Sequence, residues 1–155
     1  MIEINVISVG NVKEKYLQEM IADYKKRISK YAQIDLIELK DESNKINENV
    51  VKELEGERIV SSIKDGFYAV LLDLQGQMLD SVALSKKIDE ISTYHSSKIA
   101  FIIGGSFGVS EAVKKRANFK LYFSKLTFPH QLMKGVLLEQ IYRSFKILNN
   151  ETYHK

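Results

Sequence analysis

Apolar residues along this chain alternate between two rhythms, one of period two or unbroken and one of period near 3.6. Ile2, Ile4, Val6 and Val9 form a β-branched run ending at Gly10, which predicts a buried strand. From about Lys13 to Lys30, Tyr16, Leu17, Met20, Ile21, Tyr24 and Ile28 recur at helical spacing and predict an amphipathic helix. Ile34 to Leu39 reads as a second strand. After the polar stretch Lys40 to Asn49 a helix is expected through Val50, Val51, Leu54 and Ile63, with Gly56 a weak point in its interior. Phe67 to Leu74 is apolar at nearly every position, as a strand covered on both faces requires, and Gln75-Gly76 is expected to end it. Asp80 or Ser81 stands where a cap is needed for a helix carrying Val82, Leu84, Ile88 and Ile91. Lys98 to Ile103 predicts a fourth strand, Ser110 a cap for a short helix to about Ala117, and Phe119 to Phe123 a fifth strand. Pro129, the only proline, stands where a first helical turn tolerates it, ahead of Leu132, Val136, Leu137, Ile141, Tyr142, Phe145 and Leu148.

Five strands alternating with five helices predict an α/β fold: a mainly parallel sheet with helices on both faces. At 155 residues, 45% of them apolar, the expectation is one domain over residues 1–155 with a core large enough to fold without a metal or disulfide staple. The absence of Cys excludes thiolate metal sites, thiol nucleophiles and a disulfide framework. Met1 to Gly10 has no basic segment before an apolar run, and no apolar stretch is long enough to span a bilayer. A soluble, cytoplasmic protein with no membrane partner is expected. In open parallel sheets ligands bind beyond the carboxyl ends of the strands, so the loops after Leu74, Ile103 and Phe123 are the candidate walls of a site.

Net charge is only +3, but it is unevenly placed. Residues 1–97 carry 13 Lys and Arg against 17 Asp and Glu, net −4, whereas residues 98–155 carry 10 against 3, net +7. A basic C-terminal third suits a polyanion, because each neutralised phosphate releases counterions; a solvated basic helix face has the same composition.

Known phosphate motifs are missing. The glycines at 104, 105 and 108 do not make G-x-G-x-x-G, since Ile103 stands where the first would be needed, and no G-x-x-x-x-G-K-[ST] loop exists. Gly10-Asn11-Val12 lies where a receiver module would need acidic residues. The Gly104 to Gly108 loop is therefore either a tight turn or a backbone cradle for a ligand. Asp73, inside an apolar strand, reads as a structural carboxylate or a ribose ligand. His130, near a helix N-terminus, is better placed as a neutral hydrogen-bonding group than as a cation. Arg143 and Lys146 read singly as solvated cations, Arg143 within i,i+4 reach of Glu139. The end Tyr153-His154-Lys155 is either a frayed terminus or a group able to stack on a base and orient a phosphate.

Taken together, Ile102-Ile103-Gly104-Gly105 with Gly108, the run Ser124-Lys125-Leu126-Thr127-Phe128-Pro129-His130, the helix Leu138-Glu139-Gln140-Ile141-Tyr142-Arg143 and the terminal Tyr153-His154-Lys155 closely resemble one family. It is that of the ribosomal RNA large subunit methyltransferases H, small SPOUT-class enzymes that act on a pseudouridine in 23S ribosomal RNA. The likeness covers essentially the whole chain. It implies an α/β knot, in which the C-terminal part threads a loop as a trefoil, although the general prior is against knots. It also implies a homodimer and action on the assembled ribosome.

Carried over by position, the resemblance places S-adenosylmethionine against Leu72, Gly104, Phe123, Ser124, Lys125, Leu126, Thr127 and Phe128. It makes His154, Lys155, Tyr153 and Arg143 the catalytic candidates, with no metal. In such a site His154 and Lys155 favour loss of the imide N3 proton, and Tyr153 is a stacking platform. Many relatives end this motif in Arg; Lys155 keeps the charge but not the planar fork. The rival readings are a noncatalytic RNA-binding protein of the same fold and a nucleotide-dependent oxidoreductase.

Overall fold

The computed structural model describes residues 1–42 and 47–155; of the polar stretch expected over Lys40 to Asn49, residues 43–46 lie outside the described residues. The chain runs β1 (Ile2–Val9), α1 (Lys15–Ile28), β2 (Ala32–Leu39), α2 (Glu48–Ser62), β3 (Tyr68–Met78), α3 (Ser81–Tyr94), β4 (Lys98–Ile103), α4 (Glu111–Arg116), β5 (Phe119–Tyr122) and α5 (His130–Leu148). The strands form one sheet in the order β2-β1-β4-β3-β5, parallel at every pairing. The predicted α/β alternation is therefore realised in full, with β1, β4 and β3 inside the sheet.

Period-two side-chain alternation splits the core into two layers. Ile99, Phe101 and Ile103 of β4 point with Ile4 and Val6 of β1 toward α1, α3 and α5. Ala100 and Ile102 point with Ile7, Val9 and Leu71 to the opposite face, under α2 and α4. This is why β4 is apolar at consecutive positions: both faces of a central parallel strand are covered. On α1, Leu17, Ile21 and Ile28 are buried, but Tyr16 is exposed, because it lies just off the stripe that faces the sheet.

Caps set the helix starts. Asp80, rather than Ser81, caps α3 through its Oδ1, which accepts from the Ala83 amide at 2.7 Å, and Ser110 Oγ accepts from the Val113 amide to open α4. Gly56 does not interrupt α2. A side chain there would collide with Ser110 Oγ, so the glycine lets α2 and α4 approach closely.

One expectation is corrected. Gln75-Gly76 was expected to end the third strand, yet β3 continues to Met78. Leu72 and Gln77 both pair with Leu121, so residues 73–76 bulge out of the ladder and the strand resumes beyond them. Asp73 Oδ1 accepts from the Gln75 amide at 3.2 Å inside the bulge, while its Oδ2 is buried with no partner among the described residues. Gly76 permits it sterically: a Cβ there would stand 2.6 Å from the carbonyl carbon and oxygen of Lys120, backbone atoms with no freedom to move aside. Gly76→Ala is accordingly expected to cost about 1–3 kcal/mol, read as a lower urea midpoint at unchanged m-value; an unchanged midpoint would show that the bulge gives way freely.

Candidate functional site

β4, β3 and β5 are neighbours, and their carboxyl ends lie nearly level. Leu71 pairs with Ile102 and Leu72 with Leu121, which places Leu72 beside the end of β4, just before Gly104, and level with a point two residues before Phe123, which directly follows β5. Leu72 and Phe123 are half-buried against the core on the α5 side. Ser124 Oγ accepts from the Leu126 amide at 3.0 Å and tightens the loop's first turn, Leu126 is exposed, and Phe128 is half-buried. Lys125 and Thr127 are exposed. From the sheet edge at Tyr122 the chain must reach His130 beside the tip of β1, three strand spacings or about 15 Å away. The segment from Phe123 to Pro129 spans that distance; of the eight residues expected to hold the cofactor, Leu72, Gly104 and Phe123 stand at or just beyond three adjacent strand ends, and residues 124–128 follow Phe123 in the connection to α5.

Backbone approach at these tips is close. A Cβ on Gly104 would meet Val109 Cγ1, Gly105 and Gly108 form an isolated antiparallel bridge, and Gly108 has a φ of +90°, which favours glycine. The loop is thus a built turn, half-buried at Gly104 and Gly105 and exposed at Gly108.

Beside it, toward β1 and β2, lies a cavity of about 230 Å³ lined by Gly10, Asn11, Lys13, Asp41, Glu55, Gly105, Ser106, His130 and Gln131 among others. Glu55 is 3% exposed. Its Oε2 accepts from the Glu42 amide at 3.0 Å, while its Oε1 has no hydrogen-bond partner among the described residues. A Cβ on Gly105 would overlap that oxygen, so Gly105 is required for the carboxylate to sit where it does. Glu55 was missed in the sequence. Its signal was an acidic residue on the buried stripe of α2, between Val51 and Ile59 at i±4. Lys134 was missed as well: it is 3% exposed on α5 and bonds Glu38 Oε2 at 3.1 Å. Among the described residues no cluster of three or more His, Asp and Glu is placed to hold a metal ion, and no helix is long and apolar enough to cross a membrane.

The catalytic candidates gather elsewhere. After α5, Asn150 adopts a φ of +55° and turns the chain back, Glu151 bonds Tyr31 Oη at 2.7 Å and Lys146 Nζ at 3.0 Å, and the last residues lie along the helix. The terminus is docked rather than frayed. Tyr31 and Lys146 together hold the Glu151 carboxyl below its usual range. Tyr153 Oη donates to Glu139 Oε2 at 2.7 Å, its ring meets Tyr142 edge-on at 5.0 Å, and the Arg143 guanidinium lies 4.7 Å from its centroid. Burial, then the bond to Glu139, raises the Tyr153 phenol well above its ordinary pKa, so it is a neutral donor. Arg143 also bonds Glu139 at 2.7 Å, which raises its pKa further.

Arg143 Nη1 lies 3.1 Å from His154 Nδ1. A guanidinium only donates, so Nδ1 accepts and the neutral ring carries its proton on Nε2. Lys155 is exposed next to it. Arg143, Tyr153 and His154 thus form one cluster, which Glu139 anchors, and Lys155 follows it in the chain. That cluster is not at the strand tips. Arg143 is 13 residues beyond His130 on α5, about 20 Å along the helix axis.

Over residues 2–154 the chain is matched by a family model described as "Predicted SPOUT methyltransferase", which sets the class. Among the relatives, the "Ribosomal RNA large subunit methyltransferase H" of Clostridium botulinum (strain Alaska E43 / Type E3) is 52% identical, covering 98% of this chain and 99% of that protein. The protein of the same name from Bacillus pumilus (strain SAFR-032) is 49% identical at the same coverage. The chain belongs to this family of SPOUT methyltransferases, as the sequence resemblance implied. A solved structure of a probable methylase family protein from Haemophilus influenzae Rd KW20 shares the fold, with TM-score 0.54 at 14% identity over 98% of this chain and 70% of that one.

Proposed function

We propose that this protein is a cytoplasmic homodimer that transfers a methyl group from S-adenosylmethionine to N3 of a pseudouridine in 23S ribosomal RNA, on the assembled ribosome. The observation that carries this reading is end-to-end identity of about half with proteins named for methylation of large-subunit ribosomal RNA. The strand tips suit the donor. Gly104 and Gly105 are half-buried at the tip of β4, and half-buried Leu72, Phe123 and Phe128 supply apolar walls for a purine. Bound there, the donor supplies an electrophilic methyl group on a sulfonium.

What remains for the protein is alignment and charge. An imide nitrogen attacks only once its proton is gone, and the cationic cluster of Arg143 and Lys155 favours the anion. His154 Nε2–H is a donor to a carbonyl of the base, and its Nδ1 becomes a proton acceptor when Arg143 releases it. Because the tail and the strand-tip loops of one chain are about 20 Å apart along α5, the reading pairs the tail of one protomer with the loops of the other. The exposed tail and the basic C-terminal third would meet a base held out of its stack by the ribosome.

Labelled S-adenosylmethionine, supplied with ribosomes from a strain lacking this activity, should transfer its methyl group to one nucleotide, which mass mapping would place on a pseudouridine. Binding of both ligands without transfer would instead favour the noncatalytic RNA-binding reading.

A further inference from the structure

The cavity between β1 and the Gly104–Gly108 loop is not accounted for by the residues assigned to the donor. Its floor is a carboxylate almost fully removed from water with one oxygen unpaired among the described residues, Glu55 Oε1. A buried carboxyl oxygen without a partner is unfavourable, so a ligand that brings a cation or strong donor to Glu55 Oε1 would be stabilised there. The opposite character is present at the same cavity. Lys13 lines it, as does the start of α5 at His130 and Gln131. The first intrahelical bond of α5 is from the Met133 amide to Pro129, no side chain among the described residues caps the helix, and its first turn has no acidic residue, so its leading amides are open to an anion. A site with the buried Glu55 carboxyl, and Asp41 beside it, on one side and a lysine with free helix amides on the other is complementary to a zwitterion.

We propose that this cavity binds the α-amino-carboxylate end of the methyl donor: Glu55 receives the ammonium, and Lys13 with the first turn of α5 receives the carboxylate. The inference rests on the donor assigned above, whose sulfonium end would lie at Gly104, directly before the Gly105 that borders the cavity. Gly105 then has two duties, making room for Glu55 and separating the amino-acid end from the purine end. The arrangement also distinguishes the donor from shorter adenine nucleosides that lack an amino acid.

Calorimetry on the full-length protein tests this with two probes, S-adenosylhomocysteine and 5′-methylthioadenosine, which share the nucleoside thioether but not the amino-acid end. Wild type should prefer S-adenosylhomocysteine. Glu55→Gln, of the same shape, and Lys13→Met, at an exposed position, should each weaken that ligand at least 10-fold and leave 5′-methylthioadenosine within about twofold. Should Glu55→Gln fail to fold by thermal melting, Lys13→Met alone decides. Unchanged binding of S-adenosylhomocysteine in the variants, or equal losses for both probes, would overturn the cavity assignment while leaving the donor intact. If wild type bound neither probe, the donor reading would fall with it.

Discussion

His154→Ala is expected to lower methyl transfer by about 10²–10⁴-fold, the range for removing a positioned proton-transfer group, while donor affinity and thermal stability stay at wild-type levels. His154 is exposed and bonds Arg143, so its loss removes little packing. Arg143 retains Glu139 and the Tyr153 ring, so the cluster persists without the imidazole. The decisive readout is single-turnover methyl incorporation into unmodified ribosomes; full turnover by the variant would remove His154 from the mechanism. Mixed dimers locate its action. If the protein is the proposed dimer with the donor at the strand tips, co-assembly of His154→Ala with Gly104→Val, whose added side chain would crowd Val109, should restore activity that neither variant has alone. No restoration would show that the tail serves its own chain.

Phe101→Ala carries the largest expected loss of stability, about 3–5 kcal/mol. Phe101 is fully buried at the centre of β4, between β1 and β3, in the layer under α1, α3 and α5. Its neighbours there include Val6, Val70 and Ile141, held by strands or by a helix clamped between two others, so the vacated volume cannot be filled by a small shift. For a chain of this length the melting temperature should fall by roughly 10 °C, measurable by calorimetry. A fall of only a degree or two would mean that the two core layers repack independently of the sheet.

Most of the fold was legible because its signals are local. A strand covered on both faces must be apolar at successive positions, as Lys98 to Ile103 is, and a helix that faces a sheet must repeat its apolar residues every three or four, as Leu137, Ile141 and Phe145 do. Caps at Asp80 and Ser110 and the i,i+4 pair Glu139–Arg143 lie within one turn of chain and could be read for the same reason. The bulge in β3 could not. Its residues 73–76 look like the end of a strand, and only the return of Gln77 to Leu121, on a strand more than forty residues later, shows otherwise.

The site divides along the same line. Which residues are chemically able to act, the glycines at 104 and 105, the His and Lys of the terminus, the aromatic residues after β5, follows from residue type and order, and the family they resemble is set by that order alone. Where those residues stand was decided by tertiary structure. Parallel pairing put Leu72, Gly104 and Phe123 at one level although some 50 residues separate the first from the last. The turn at Asn150 laid the terminus on α5 rather than at the strand tips, and close approach of α2 to the glycine loop aimed Glu55 into a cavity lined from five parts of the chain. Periodicity records which face of an element is buried; it holds no information on which distant element covers that face, and a binding site is made of such encounters.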